Sequence, residues 1–491
     1  MVMHFCIKVP SLCLFTASCN ARIMAAPLSL QGNMMTASPP RRASGLILLT
    51  LAFGFVMAML DVTAVNVALS DIALDLRIPL TGLVWVVDGY TLTFAALLLA
   101  GGALADRYGP KAVYQGGLGV FLLGSVLCGA APDGHFLTAA RLLQGAGAAL
   151  FMPSSLSLLT HSFDDERERT RMLGAWSALV GVAGASGPLI GGILVHQFGW
   201  RSVFWVNVPL GVLAIVMAQL LLVAPARQPR DLSLFSHALG VAALAGLSFL
   251  LIEGPVLGWL SPGVLAAGAL TLLSAWHLLR RERSGSHPLL PRELFHSSSF
   301  GAANGVGFLI NFCVFGQLFL LSLFLQQSGG ADALQSGLRL LPMMAAYTVG
   351  NFMAGSIAAR HGTRRPMLAG LLVGAVMALL LMGLRPGTPY GWLALGTAVM
   401  NIAIGIAIPA MTATVMRVAG KQHANSAAAA LNANRQIGAL VGVALIGSIL
   451  HMLPDWSLRL PLAYATIAAA YGLAAGLVYR HVHVPKAVAA A

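Results

Sequence analysis

Fourteen stretches of this chain stay apolar for about as long as a helix needs to cross a bilayer, roughly 20 residues. They lie near 45–69, 83–104, 112–131, 136–158, 172–195, 202–224, 234–252 and 262–279, then near 299–325, 336–358, 366–384, 390–415, 425–450 and 460–479. In lipid a backbone must satisfy its own polar groups, and segments of this length do so as helices. Composition agrees: 58% of residues are hydrophobic and 9% charged, against roughly 25% charged in a soluble domain. The expected fold class is therefore an all-α integral membrane protein, with the lipid bilayer as its main solvent.

The formal net charge is +13, which in a soluble protein suggests nucleic acid. The positions of the charges point elsewhere. With the N-terminus inside, twenty lysines and arginines fall on inner segments, among them Arg107, Lys111, Arg167, Arg281, Arg364, Arg417 and Arg480. Five fall on outer loops: Arg77, Arg201, Arg339, Arg385 and Arg459. This is the bias of the positive-inside rule. It implies a multi-pass protein of the cytoplasmic membrane with both termini cytoplasmic and no nucleic-acid partner.

A loop recurs. Gly102-Ala-Leu-Ala-Asp106-Arg107-Tyr-Gly109-Pro-Lys111 is echoed by Gly355-Ser-Ile-Ala-Ala359-Arg360-His-Gly362-Thr-Arg364. A loop repeated at the same place in two sets of helices implies a duplicated half, as in many transporters, with the substrate site between the halves. The expected organisation is a tail over 1–43, a six-helix half over 44–225, and a linker with two inserted helices over 226–297. A second six-helix half covers 298–480 and a cytoplasmic tail 481–491. The first tail reads as a disordered extension or as sequence upstream of a start near Met34 or Met35. In the loop, Gly102 and Gly109 permit tight turning, while Asp106, Arg107 and Lys111 offer charged contacts that can break as the halves move.

With these residues in view the chain resembles the major facilitator superfamily. Gly102–Lys111 is similar to that family's loop between helices two and three. Arg141-Leu-Leu-Gln144-Gly145-Ala-Gly147 resembles a helix-four motif tied to proton coupling. Gly181-Val-Ala-Gly184-Ala-Ser-Gly187-Pro188-Leu-Ile-Gly191-Gly192 resembles the helix-five motif of antiporters. Leu60-Asp61-Val-Thr63-Ala-Val-Asn66 and Trp200-Arg201-Ser-Val-Phe-Trp-Val-Asn207 resemble segments of the fourteen-helix drug:proton antiporters, and Trp85-Val-Val-Asp88-Gly-Tyr90 looks closest to methylenomycin-resistance-type and multidrug exporters. Two positions depart from the pattern: Ser70 stands where a proline is usual, and Pro110 where a basic residue is. The resemblance implies two six-helix halves plus two inserted helices, and export of drugs or hydrophobic or cationic metabolites in exchange for protons. A proton-coupled importer of a polar nutrient is the alternative.

Ionisable side chains inside a membrane are costly, so each is a functional candidate. Asp61 lies about 24 Å from the inner end of the first helix at 1.5 Å per residue. Asp88 lies a turn or two from the outer end of the second. Desolvation suits a buried carboxylic acid to take up and release protons near neutral pH, so Asp61 and Asp88, with Arg141 and Gln144, are the candidates for proton and substrate coupling. One charge crossing 100 mV is worth about 2.3 kcal/mol, enough for roughly a fiftyfold gradient. The bland reading of Asp61 is a structural acid that fixes the first helix to a neighbour, and that of Arg141 is a charge partner that only stabilises the bundle. Gly184, Gly187, Pro188, Gly191 and Gly192 suit a closely packed, pliable helix that limits leakage. Asn66, Asn311, Gln317, Asn351 and Asn401 are candidate pocket groups, although helix–helix hydrogen bonding explains each equally. Arg435 is open to two readings, a charge partner across the interface or a site for an anionic group. Glu253 reads as a loop-edge residue and Asp164–Arg169 as a solvated loop.

The sequence holds no HExxH, GxxxxGK[ST] or GxSxG pattern. No enzyme activity, metal or cofactor is therefore expected, and the proton gradient rather than ATP is the expected source of drive. The five cysteines, Cys6, Cys13, Cys19, Cys128 and Cys313, show no metal-ligand spacing and read as free thiols.

Overall fold

A computed structural model describes residues 41–163, 165–224, 233–284, 293–294 and 297–482. The tail before residue 41, the loop arginines Arg227, Arg230 and Arg292, and the C-terminal tail from 483 lie outside the described residues, as do Cys6, Cys13 and Cys19. Among the described residues fourteen helices are long enough to span a membrane. In chain order they are α1 (Arg41–Leu76), α2 (Leu80–Tyr108), α3 (Pro110–Gly129), α4 (Gly134–His161) and α5 (Glu166–Phe198). Next come α6 (Ser202–Leu221), α7 (Leu234–Leu257), α8 (Pro262–Ser284), α9 (Ser298–Gln327) and α10 (Ala333–His361). The last four are α11 (Arg364–Leu381), α12 (Tyr390–Gly420), α13 (Ser426–Met452) and α14 (Trp456–His481). Thirteen are also strongly apolar; α10, which carries Arg339, Asn351 and Arg360, is the exception.

Local chemistry sets the boundaries. Asp133, Asp165 and Asp332 stand at N-caps, each accepting a hydrogen bond from a backbone N–H three residues on, as short polar side chains do there. Of the acidic run expected to be a solvated loop, Glu166–Arg169 is instead the start of α5, and Asp164 lies outside the described residues. Asp165 caps it, and Glu168 accepts a hydrogen bond of 2.8 Å from Ser44 Oγ on α1. Gly420, at φ 63°, marks the break between α12 and α13. Pro110 is the first residue of α3, where its fixed φ and missing N–H carry no penalty, so this departure from the family pattern is accommodated.

The repeated loop folds the same way twice. Gly109 ends α2 at φ 97° and Gly362 ends α10 at φ 71°, a region that favours glycine. Lys111 Nζ then donates to the carbonyls of Gln219 and Leu222 at the end of α6. Arg364 donates in the same way to the Tyr479 carbonyl near the end of α14, at 2.8 Å. The close helix pairs repeat too. Gly187 and Gly191 of α5 press on Thr63 and Ala64 of α1, as Gly438 and Gly442 of α13 press on Phe308 and Phe312 of α9.

The basic loops gather at one end of the bundle. There Arg417 of α12 meets Thr363 in the α10–α11 loop, and Ser299 of α9 meets the His481 carbonyl of α14. The inserted helices sit outside the twelve others. α7 packs on both α2 and α13, where Ser448 Oγ donates to the Leu251 carbonyl and Trp85 Nε1 donates to Glu253 at 2.7 Å. Glu253 is therefore not a loop-edge residue: α7 continues through Gly254 and Pro255 to Leu257. α8 presents Leu272, Leu273 and Trp276 outward, the face a lipid-contacting helix shows.

Candidate functional site: a one-ended cavity and a buried charge cluster

A cavity of 2610 Å³ runs between the first six and the last six helices. Its lining begins at the basic end with Asp106 and Arg107 of α2, His161 of α4 and Arg281 of α8. It reaches Met59 on α1, Phe94 on α2, Tyr347 on α10 and Gln436 on α13, and goes no further. Beyond that depth the two sets of helices close on each other. Ser322 Oγ and Gln326 Nε2 of α9 donate to the Asn66 and Val67 carbonyls of α1. Gly337 of α10 leaves no room for a Cβ against the Pro188 carbonyl of α5, and Gly192 meets the Ala333 backbone. Val84 of α2 occupies the space beside Gly447 of α13. The cavity is open at the basic end and sealed at the other.

The fully buried charges of the first six helices, Asp61, Asp88 and Arg141, lie beneath that seal and do not line the cavity. Asp61 Oδ2 accepts from Arg141 Nη1 at 2.5 Å, and Asp61 Oδ1 accepts from Gln144 Nε2 at 2.8 Å and Asn207 Nδ2 at 3.1 Å. Arg141 also donates from Nε to the Val86 carbonyl and from Nη1 to Gln144 Oε1, and its guanidinium lies 4.5 Å from the Tyr90 ring centroid. Ser125 Oγ accepts from Gln144 at 2.9 Å and lies 3.4 Å from Asn207 Nδ2. Asp61, Arg141, Gln144 and Asn207 are each at most 1% exposed. Low dielectric strengthens such a pair and makes its disruption expensive, since removing one member leaves the other charged and buried.

Asp88 differs. It is fully buried on α2, and neither carboxylate oxygen has a hydrogen-bond partner. Val84, one turn earlier on the same face, packs against α13, which places Asp88 at the seam between the two sets of helices.

The other sequence candidates divide. Gly102, Asp106, Arg107, Asn351 and Arg435 line the cavity. Gly187, Pro188, Gly191 and Gly192 make the close approaches of α5, Gly109 and Lys111 form the loop geometry described above, and Gly184 faces open space. Asn66, Asn311, Gln317 and Asn401 do not reach the cavity. Asn66 and Asn311 bond to carbonyls one turn back on their own helices, and Asn401 Nδ2 donates to Gln317 Oε1 at 3.2 Å inside the second set. The sequence reading assigned no role to Asn207 and Ser125, which complete the Asp61 cluster, or to Phe55, Trp176 and Tyr347 on the cavity wall. Asn207 closes the Trp200–Asn207 motif quoted above, so its signal was present. The others are residue types that occur on any membrane helix.

Residues 51–443 match the Major Facilitator Superfamily. The chain is 50% identical to the Methylenomycin A resistance protein of Bacillus subtilis (strain 168), over 88% of this chain and 93% of that one. It is 46% identical to the protein of the same name from Streptomyces coelicolor, over 87% and 90%. Among solved structures it shares its fold, at TM-score 0.63 and 16% identity, with a bacterial homolog of the human lysosomal transporter Spinster in an inward-facing, unoccupied conformation. That match covers 91% of this chain and all of the other.

Proposed function

The chain belongs to the major facilitator superfamily, a transporter and not an enzyme, and from that membership we propose that it exports small organic molecules from the cell in exchange for protons. The relatives named for antibiotic resistance support export over import. The basic end is then cytoplasmic, with both termini there, by the positive-inside rule. The cavity open at that end receives substrate from the cytoplasm or inner leaflet.

The observation that carries the coupling is the placement of Asp61 and Asp88 beneath the seal. When the α1–α9, α5–α10 and α2–α13 contacts part, both acids face the opposite side and can take up protons there. With the seal closed, Asp61 is held by Arg141, Gln144 and Asn207, the arrangement of a carboxylate that has given up its proton. Protonation of Asp61 removes the charge that holds Arg141, freeing the guanidinium to repack as the two six-helix sets rock. Asp88 is the second proton-carrying group, since a charged carboxylate without partners is expensive to bury and its seam opens and closes with the cycle. The driving force comes from the proton gradient alone: no nucleotide or metal takes part in these steps.

The test is proton release from inside-out vesicles holding a preformed pH gradient, on adding a panel of lipophilic drugs. Loss of the gradient with the wild-type chain, and its persistence in vesicles lacking the chain, is the expected result. Symport would instead deepen the gradient or leave it unchanged.

A further inference from the structure

The two walls of the cavity differ in chemistry. On the first six helices the deep part is made by Phe55, Met59, Phe94 and Trp176, with Phe55 and Trp176 in edge-to-face contact at 4.6 Å between centroids. On the last six it is made by Tyr347, Asn351, Asn432, Arg435 and Gln436. Arg435 sits roughly 14 Å along α13 from Ser426 at about 1.5 Å per residue, well below the mouth. Its Nε is buried with no hydrogen-bond partner, as is Nε1 of Trp176 on the other wall.

Among the described residues no carboxylate forms an ion pair with Arg435. The only acids between residues 297 and 482 are Asp332 and Asp455, which precede α10 and α14 at the sealed end. The acids that line the cavity, Asp106 and Glu282, belong to its mouth, and Asp61 and Asp88 lie outside it. An arginine stays protonated across the accessible pH range. The deep cavity therefore keeps a fixed positive charge whatever the protonation of the coupling acids.

We infer that the cavity takes an amphipathic organic anion, its carboxylate on the guanidinium of Arg435 and its apolar body against Phe55 and Trp176. This identifies a substrate class and rests on the export reading above. A guanidinium presents paired donors that match a carboxylate, and Asn351, Asn432 and Gln436 supply further amide donors around it. A cation of the same size meets an uncompensated like charge. Exchange of one proton for such an anion moves two charges in the same electrical sense, so both the pH gradient and the inside-negative potential drive export.

The experiment offers radiolabelled 1-naphthoate, 1-naphthamide and 1-naphthylmethylammonium to inside-out vesicles with an acidic interior, made from cells producing the full chain. Naphthoate is expected to accumulate at least tenfold faster than the other two. Arg435→Gln loses that preference and Arg435→Lys, which keeps the charge, retains it. With rates taken above those of vesicles lacking the chain, faster uptake of the amine or amide, or an unchanged preference in Arg435→Gln, overturns the inference while leaving proton-driven export standing. If none of the three accumulates, equilibrium dialysis of naphthoate against the purified chain decides: binding lost in Arg435→Gln upholds the anion site and removes the export reading, and no binding overturns the anion site.

Discussion

The first six helices and the last six repeat one backbone pattern with opposite polar interiors. Both end their second helix at a positive-φ glycine, Gly109 or Gly362, and both tie the next basic residue to the end of their sixth helix. Yet the first set buries Asp61, Arg141, Gln144 and Asn207 in one bonded cluster, whereas the second buries the neutral pair Gln317 and Asn401 and turns Arg435 into the cavity. On the proposed function this shared scaffold carries two tasks: proton coupling at the buried acids of the first set, and substrate contact at the fixed charge of the second.

The largest expected break in this contrast is Asp61→Asn. It leaves Arg141 charged and buried, and should cost about 3–5 kcal/mol, read as a lower melting temperature of the purified protein. Adding Arg141→Gln to that variant should recover part of the loss, because the uncompensated charge is gone. Next comes Asn207→Ala, which removes one donor to a charged acceptor and should cost about 1.5–3 kcal/mol, with slower uphill transport. The neutral pair sharpens the comparison. Gln317→Leu should cost about 1 kcal/mol by the net value of one hydrogen bond and leave the pH dependence of transport unchanged. The smallest effects belong to the duplicated loop contacts: Lys111→Gln and Arg364→Gln each remove a cation from a helix C-terminus and should cost about 0.3–1 kcal/mol. Near-equal values would support equivalence of the two loops, and a large disparity would argue against it.

Much of the fold was legible because membrane helices announce themselves by length and apolarity: each of the fourteen expected runs coincides with a helix, although 112–131, 202–224 and 366–384 overrun their helix ends by two or three residues. The repeated loop was legible because a positive-φ turn favours glycine at a fixed place. What a sequence of this composition hides is rotation about each helix axis. Asn351 and Asn401 look alike as isolated amides in apolar runs, yet one faces the cavity and the other faces Gln317. For a polar residue on a lipid-facing protein, apolar periodicity gives no inside and outside to choose between. Glu253 was misread for a related reason: the Gly254-Pro255 pair signals a helix end in water, but in α7 the helix continues and its carboxylate is bonded by Trp85. Asp61 was the better guide, since its buried carboxylate is bonded by Arg141 and Gln144, residues singled out with it, whereas Asp88 is equally buried without a partner.

The central claim is that Asp61 couples transport to protons without forming the substrate site. It is tested most directly by comparing two assays on Asp61→Asn in reconstituted vesicles. One is substrate counterflow with no gradient, and the other is uphill transport driven by a pH gradient. Retained counterflow with loss of uphill transport is the predicted outcome, and uphill transport with an intact pH dependence would contradict it.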